Sequence, residues 1–258
     1  MRPQYSKIHI ELSTTSKNSS DSGLKAVTTT SKTASKSAMY SLIPQINQSH
    51  LLPSYEIHAS LLSKAKRLTD IILSLIGLSL TAIIAIPIAI LMHFDDPGPL
   101  FYSQIRCGLR GKPFRMWKFR SMVVNADQQK HLIENQAKGH IFKSDCDPRI
   151  TRVGQFLRKT SLDEFPQFLN VLKGEMSIVG TRPPTPDEVA NYDQHHWQRL
   201  SVKPGITGEW QTSGRSSIDD FEQIVRMDLN YQLKWSIWYD LYLIWKTISV
   251  VLNKEGAY

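Results

Sequence analysis

Two neighbouring carboxylates, Asp163 and Glu164, lie in the stretch TRVGQFLRKTSLDEFPQFLNVLKGEMSIVGTRP among Arg152, Arg158, Lys159, Lys173 and Arg182. Acids ringed by guanidinium and ammonium groups suit a phosphorylated ligand. A carboxylate can attack phosphorus to form an acyl phosphate, which splits one transfer into two easier steps. A second carboxylate can hold Mg²⁺, a hard cation that takes oxygen ligands and neutralises charge on a diphosphate. Arginines can grip phosphate oxygens in bidentate fashion. The same residues also read as local structure. Ser161–Leu162–Asp163–Glu164 has the form of a capping box, in which Glu164 reaches back to the Ser161 amide, and acids in a first turn favour the positive end of the helix dipole. The two readings are compatible, because a helix N-terminus also binds phosphate.

Other chemically capable residues fall away on inspection. His195 and His196 stand beside Trp197 at a helix end with no partner cluster, which favours an exposed or core role over metal ligation. Cys107 and Cys146 are the only cysteines, with no paired spacing and no neighbouring base, so neither a disulfide framework, a zinc site nor a thiolate nucleophile is indicated. The net charge of +8 points to an anionic partner. A nucleic-acid stripe is not expected, since the basic residues surround acids and an apolar segment.

The elements that must position the acids can be read along the 258 residues, 41% of them hydrophobic. MRPQYSKIHIELS lacks the apolar core of a secretory signal, so the N-terminus is expected to stay inside. From Ser13 to about Ser49 the chain is dominated by Ser, Thr, Lys and Asn, and residues 1–60 are read as a disordered tail. Residues 61–96 hold the apolar run Ile71–Leu91, with no charge, no evident polar face and enough length to cross a hydrocarbon core. Lys64, Lys66 and Arg67 precede it, and Arg106, Arg110, Lys112, Arg115, Lys118 and Arg120 follow it. The positive-inside rule disfavours moving either cluster across a membrane, which leaves a bent re-entrant segment, with Pro87 as a bend, beside the commoner straight span.

Residues 97–258 are expected to form one compact domain. LFYSQI and PFRMWKF around the Gly108–Gly111 loop predict a β-hairpin, Asn125–Lys138 a polar helix, Val153–Thr160 an amphipathic helix and Phe165–Leu172 another. Thr185 and Glu188 form a capping box for a helix reaching about Arg199, and Ile218–Gln232 and Ser236–Leu252 predict two more. Trp235, Trp238, Tyr239, Tyr242 and Trp245 crowd the last one, which fits either core packing or docking at a headgroup layer. The fold class is therefore α+β and mostly helical, with a small hairpin, surface amphipathic helices and one N-terminal membrane helix, either a straight span or a re-entrant helix-hairpin.

The motifs KRLTD, DDPGPLFYSQIRCG, FRMWKFRSM, DPRITRVGQFLRKTSLDEFPQFLNVLKGEMSIVGTRP and KPGITGEWQTSGR, in this order from Leu61 to Leu252, resemble the bacterial sugar transferases, small monotopic polyprenyl-phosphate sugar-1-phosphate transferases. The resemblance implies transfer of a sugar-1-phosphate from a UDP-sugar to undecaprenyl phosphate, with UMP as the first product. It places the nucleophile at Asp163 and Mg²⁺ at Glu164. Arg182 of GTRP and Arg215 of SGR would contact phosphate, Lys118 and Arg120 of KFRSM would bind substrate near the membrane surface, and Asp240 of WSIWYDL, which matches a family acid, would bind substrate as well. Two departures stand out. Ala82–Ile83 replaces the family's Ser-Pro helix breaker, with Pro87 about one turn later, and Thr181 replaces the proline before Arg182. What the resemblance implies is a step in exopolysaccharide, capsule or O-antigen synthesis at the inner membrane, on its cytosolic face, with membrane lipid as a partner. The alternative is a catalytically silent membrane-surface module whose acidic pair only caps a helix.

Overall fold

The computed structural model describes residues 57–142, 144, 147–213 and 218–253. Most of the expected tail lies outside these residues. The described elements begin a little before Leu61: His58 caps helix α1 (Ala59–Leu62), and its Nε2 lies 3.0 Å from the Gln232 carbonyl oxygen. Ser63 then caps α2 (Lys64–Asp95) by accepting from the Lys66 amide.

Helix α2 runs unbroken through 32 residues, about 48 Å of contour at 1.5 Å per residue, with Pro87 inside it. The two legs of a helix-hairpin expected from the sequence are thus one continuous helix. Pro87 costs one helical hydrogen bond without ending the helix. The helix also has a polar stripe that the sequence reading overlooked. Its buried residues are Lys66, Asp70, Ser74, Gly77, Thr81, Ile88 and Met92, whereas Leu68, Ile72, Leu75, Ile76, Ile83, Ile86, Ile90 and Phe94 are exposed. Small and polar groups face the protein and apolar ones face outward, the reverse of a helix on a water-soluble domain.

Contacts with the rest of the fold run the length of this stripe. Lys66 and Asp70 bond near its start, where Asp70 Oδ1 accepts from Ser177 Oγ and the Ile178 amide, both at 2.9 Å. In the middle, Gly77 lets Phe168 approach so closely that a Cβ would stand 2.4 Å from its ring. At the far end Asp95 Oδ2 accepts the Val153 amide at 2.8 Å, and Ile88 and Met92 pack with Phe119 and Leu157.

Strands β1 (Phe101–Cys107) and β2 (Pro113–Phe119) form the expected antiparallel hairpin, in register from Phe101 opposite Phe119 to Cys107 opposite Pro113. A 3-10 turn replaces most of the polar helix expected after it, covering only Ala126–Leu132. Helix α3 (Arg152–Lys159) matches expectation, and α4 (Phe168–Lys173) follows a 3-10 turn, Leu162–Gln167. Strand β3 (Ser177–Val179) pairs in parallel with β4 (Gly205–Thr207), a second small sheet that the sequence did not announce.

The helix expected from Thr185 to about Arg199 is three short pieces. The Thr185–Glu188 capping box opens α5 (Pro186–Val189), Asp193 caps a fresh start for α6 (Gln194–Trp197), and a 3-10 turn closes the run at Gln198–Ser201. A second cap of this strength ends one helix to begin another. Helices α7 (Glu209–Thr212), α8 (Phe221–Lys234) and α9 (Ile237–Leu252) complete the chain. On α9, Leu243 is buried while Trp238, Tyr242 and Trp245 stand in solvent, Trp238 at 77% exposure, so core packing does not explain these rings.

Candidate active site

Lys118 on β2 faces the 3-10 turn Leu162–Gln167 that carries the acid pair. Its Nζ lies 2.9 Å from Glu164 Oε1 and 3.9 Å from Asp163 Oδ2. Ser161, the residue before this turn, has φ of 56°, a left-handed conformation that swings the chain back from α3 onto the hairpin. The capping box expected at Ser161 is not formed: the Ser161 side chain makes no capping hydrogen bond, and the Glu164 carboxylate is turned to Lys118 instead. The acids are therefore placed by a strained turn and a cation. Asp163 is 5% exposed, while the side chains of Lys118 and Glu164 retain 24% and 18%, and all three line a cleft of about 2160 Å³.

Arg106, Arg120, Arg158 and Arg182 line the same cleft. Arg182 forms a fork on Glu188 at 2.8 and 3.1 Å, and Glu188 Oε2 also accepts the Thr185 amide at 3.2 Å. Burial works against charge on both side chains. Their mutual attraction more than offsets it, so Arg182 is raised above the ordinary arginine value and Glu188 is held below the ordinary carboxylate value. Arg106, buried and then repelled by the charge of Arg182, is lowered to about 10. Two guanidiniums near enough to disfavour each other beside a cleft form a site for an anion.

Arg120 has the hydrogen bonds of a structural residue. It donates to the Pro99 carbonyl at 2.8 Å and pairs with Asp96, clamping the turn between α2 and β1 at the cleft wall. Arg158 donates to Ser121 Oγ at 3.0 Å.

Asp240 does not join the cleft. It is 2% exposed and takes Lys66 Nζ at 2.6 Å, Tyr231 OH at 2.8 Å and Trp235 Nε1 at 3.1 Å. Its carboxylate ties α9 to the start of α2, away from the cleft where the substrate-binding candidates Lys118, Arg120 and Arg182 lie. Arg215 lies outside the described residues. Sequence reasoning missed Arg106, whose signal was the alternation Tyr102, Gln104, Arg106 along β1; all three line the cleft. It also missed Trp210 and Gln211, which line it from α7.

The donor set suits Mg²⁺. Glu164 offers hard carboxylate oxygens that already hold a cation, and Asp163 is adjacent. Among the described residues no group of three His, Cys, Asp or Glu is assembled.

The acid pair thus lies in an arginine-lined cleft, on a domain carrying a helix whose outward face is apolar. A model of the family described as bacterial sugar transferase matches residues 61–254, and the chain belongs to that family. It is 52% identical over 195 residues to the galactosyl transferase CpsE of Streptococcus agalactiae serotype III, covering 75% of this chain and 43% of the relative. The undecaprenyl-phosphate galactose phosphotransferase of Salmonella typhimurium is 44% identical over 202 residues, covering 75% of this chain and 41% of its own. The exopolysaccharide production protein ExoY of Sinorhizobium fredii is 38% identical over 200 residues, 75% of this chain and 88% of its own. The chain thus spans less than half the length of the first two and most of the third.

Proposed function

We propose that the protein transfers a sugar-1-phosphate from a UDP-sugar to undecaprenyl phosphate, beginning a lipid-linked saccharide for exopolysaccharide, capsule or O-antigen. The observation that carries this reading is Asp163 buried in the cleft beside Lys118 and Glu164, with Arg182 and Arg106 lining the same cleft. An Asp163 oxygen attacks the phosphorus that bears the sugar. The bond from that phosphorus to the bridging oxygen breaks, its electron pair leaves on UMP, and an aspartyl phosphosugar remains. A phosphate oxygen of undecaprenyl phosphate then attacks the same phosphorus and releases the Asp163 carboxylate. Lys118 and the arginines bind and orient the phosphates throughout. Mg²⁺, held through Glu164, would supply neutralisation of diphosphate charge.

The fold supports a membrane-surface placement with both ends of α2 on one side, because Lys66 and Asp95 bond to the same domain. The apolar outer face of α2 and the exposed Trp238, Tyr242 and Trp245 of α9 would then meet lipid, and the cleft would open to the cytosol at the inner membrane. The silent-module alternative loses its main support at Ser161, since the acid pair forms no capping box.

The test is release of UMP from UDP-glucose, UDP-galactose and UDP-N-acetyl sugars by the full chain in lipid nanodiscs with undecaprenyl phosphate and Mg²⁺. Release should require all components, and mass spectrometry should find a phosphosugar adduct on Asp163. An Asp163→Asn variant that still turned over would sink the covalent route. A cysteine placed in the Ser13–Ser49 segment should be labelled from the cytosolic side, and labelling only from outside would refute the topology.

A further inference from the structure

Two polar atoms of the cleft wall are buried with no hydrogen-bond partner among the described residues: Nε1 of Trp210 and Oε1 of Gln211. Folded proteins seldom leave such atoms unsatisfied, so their place calls for an external partner. Trp197 Nε1 shares the condition but belongs to the core and does not line the cleft.

The surrounding structure holds this pair in place. Helix α7 is fixed at its first residue, where Glu209 accepts from Asn230 Nδ2 and from Tyr239 OH, the latter at 3.0 Å. It is fixed again at its last, where Thr212 Oγ1 donates to the Gly208 carbonyl at 3.1 Å. The two residues between these anchors are Trp210 and Gln211. Gly208 makes the arrangement fit: a Cβ there would stand 2.2 Å from the Gly180 carbonyl oxygen and 2.9 Å from Gln211 Oε1. Beside the pair is Arg182, whose guanidinium carbon lies 6.0 Å from the centre of the Trp210 ring. A fixed donor and a fixed acceptor, next to each other and next to a phosphate-binding arginine, match a ligand that carries an oxygen acceptor and an O–H or N–H close to a phosphate.

We propose that Trp210 and Gln211 bind the non-phosphate part of the nucleotide-sugar donor, the indole N–H donating to a ligand oxygen and the Gln211 carbonyl accepting from a ligand hydroxyl or imide N–H. The proposal rests on the donor assigned under Proposed function. Both the hexosyl hydroxyls and the uracil imide carry this chemistry, and the experiment separates them.

The full chain in nanodiscs is compared with Trp210→Phe, which keeps the aromatic body and loses the N–H, and with Gln211→Met, which keeps the length and loses the amide. UMP release is measured against UDP-hexose concentration at saturating undecaprenyl phosphate, and binding of UDP-hexose and of UMP is measured by calorimetry, which needs no turnover. Each variant should raise KM and weaken UDP-hexose binding about 10-fold while kcat stays within about 3-fold, the effect of losing one buried hydrogen bond. UMP binding that weakens in parallel assigns the pair to the nucleoside, and unchanged UMP binding assigns it to the hexose. Unchanged KM and binding in both variants would overturn the proposal, as would a fall in melting temperature with KM unmoved. A wild-type protein that binds UDP-hexose without turning it over defeats the proposed function but leaves this site standing. One that binds no nucleotide sugar defeats both.

Discussion

Two lysine–carboxylate pairs among the described residues, Lys66–Asp240 and Lys118–Glu164, are built to opposite ends. Lys66 and Asp240 are both buried, and Asp240 takes two further donors, Tyr231 and Trp235, so its oxygens are fully engaged. Lys118 and Glu164 meet at a similar distance, yet both line the cleft and keep part of their side chains in solvent. A buried pair satisfied on every side fixes structure, and exchanging its partners is costly. A pair left partly open can trade one partner for an incoming phosphate or metal ion at little loss. The same two residue types thus serve as a bolt in one place and as a ligand site in the other.

The comparison can be broken first at the open pair. Asp163→Asn should lower UMP release on the order of 10⁴-fold, as loss of a nucleophile does, with the melting temperature nearly unchanged. At the closed pair the pattern should invert. Lys66→Met or Asp240→Asn should each destabilise by about 3–5 kcal/mol in thermal or denaturant unfolding, while the double change Lys66→Met with Asp240→Leu should recover most of that loss.

A third pair, Arg182–Glu188, belongs to both types, being well buried and yet on the cleft wall. Glu188→Gln should cost about 1.5–3 kcal/mol at neutral pH. Glu188 is held below its ordinary value of 4.5 in the folded state, so its contribution is present above that pH and lost as pH falls through the folded value. The stability gap between wild type and variant should therefore narrow below about pH 4.5. The smallest effect is expected where no pair exists. Trp238→Ala with Trp245→Ala should shift stability by less than about 0.5 kcal/mol each but should reduce quenching of tryptophan fluorescence by brominated lipid.

The hairpin and helices α3, α8 and α9 were legible because each follows a local rule, alternation or a 3.6-residue period bounded by glycine or a cap. Helix α5 was announced by Thr185 and Glu188, but Asp193 carries an equally good cap, and nothing local says which cap ends the other's helix. The acid pair was legible as residues and misread in its setting, since Ser161 adopts a left-handed conformation that no capping pattern anticipates. Lys118, Arg120 and Arg182 were found at the cleft. The tie between Asp240 and Lys66 is not legible in the sequence, because the two lie 174 positions apart. The inward stripe of α2 escaped for a related reason: Ser74, Gly77 and Thr81 look neutral until Phe165 and Phe168 are brought against them.

The separation of Lys66 from Asp240 also sets an order of events during synthesis. At about 5–20 residues per second, a ribosome reaches Asp240 roughly 10–35 s after Lys66 has been made. Through that interval the outward apolar face of α2 is already made, while the ammonium of Lys66 has no Asp240 carboxylate to receive it. Lys66 must wait unpaired until then, so α2 can form before it can close onto the domain. Helix α9 then locks α2.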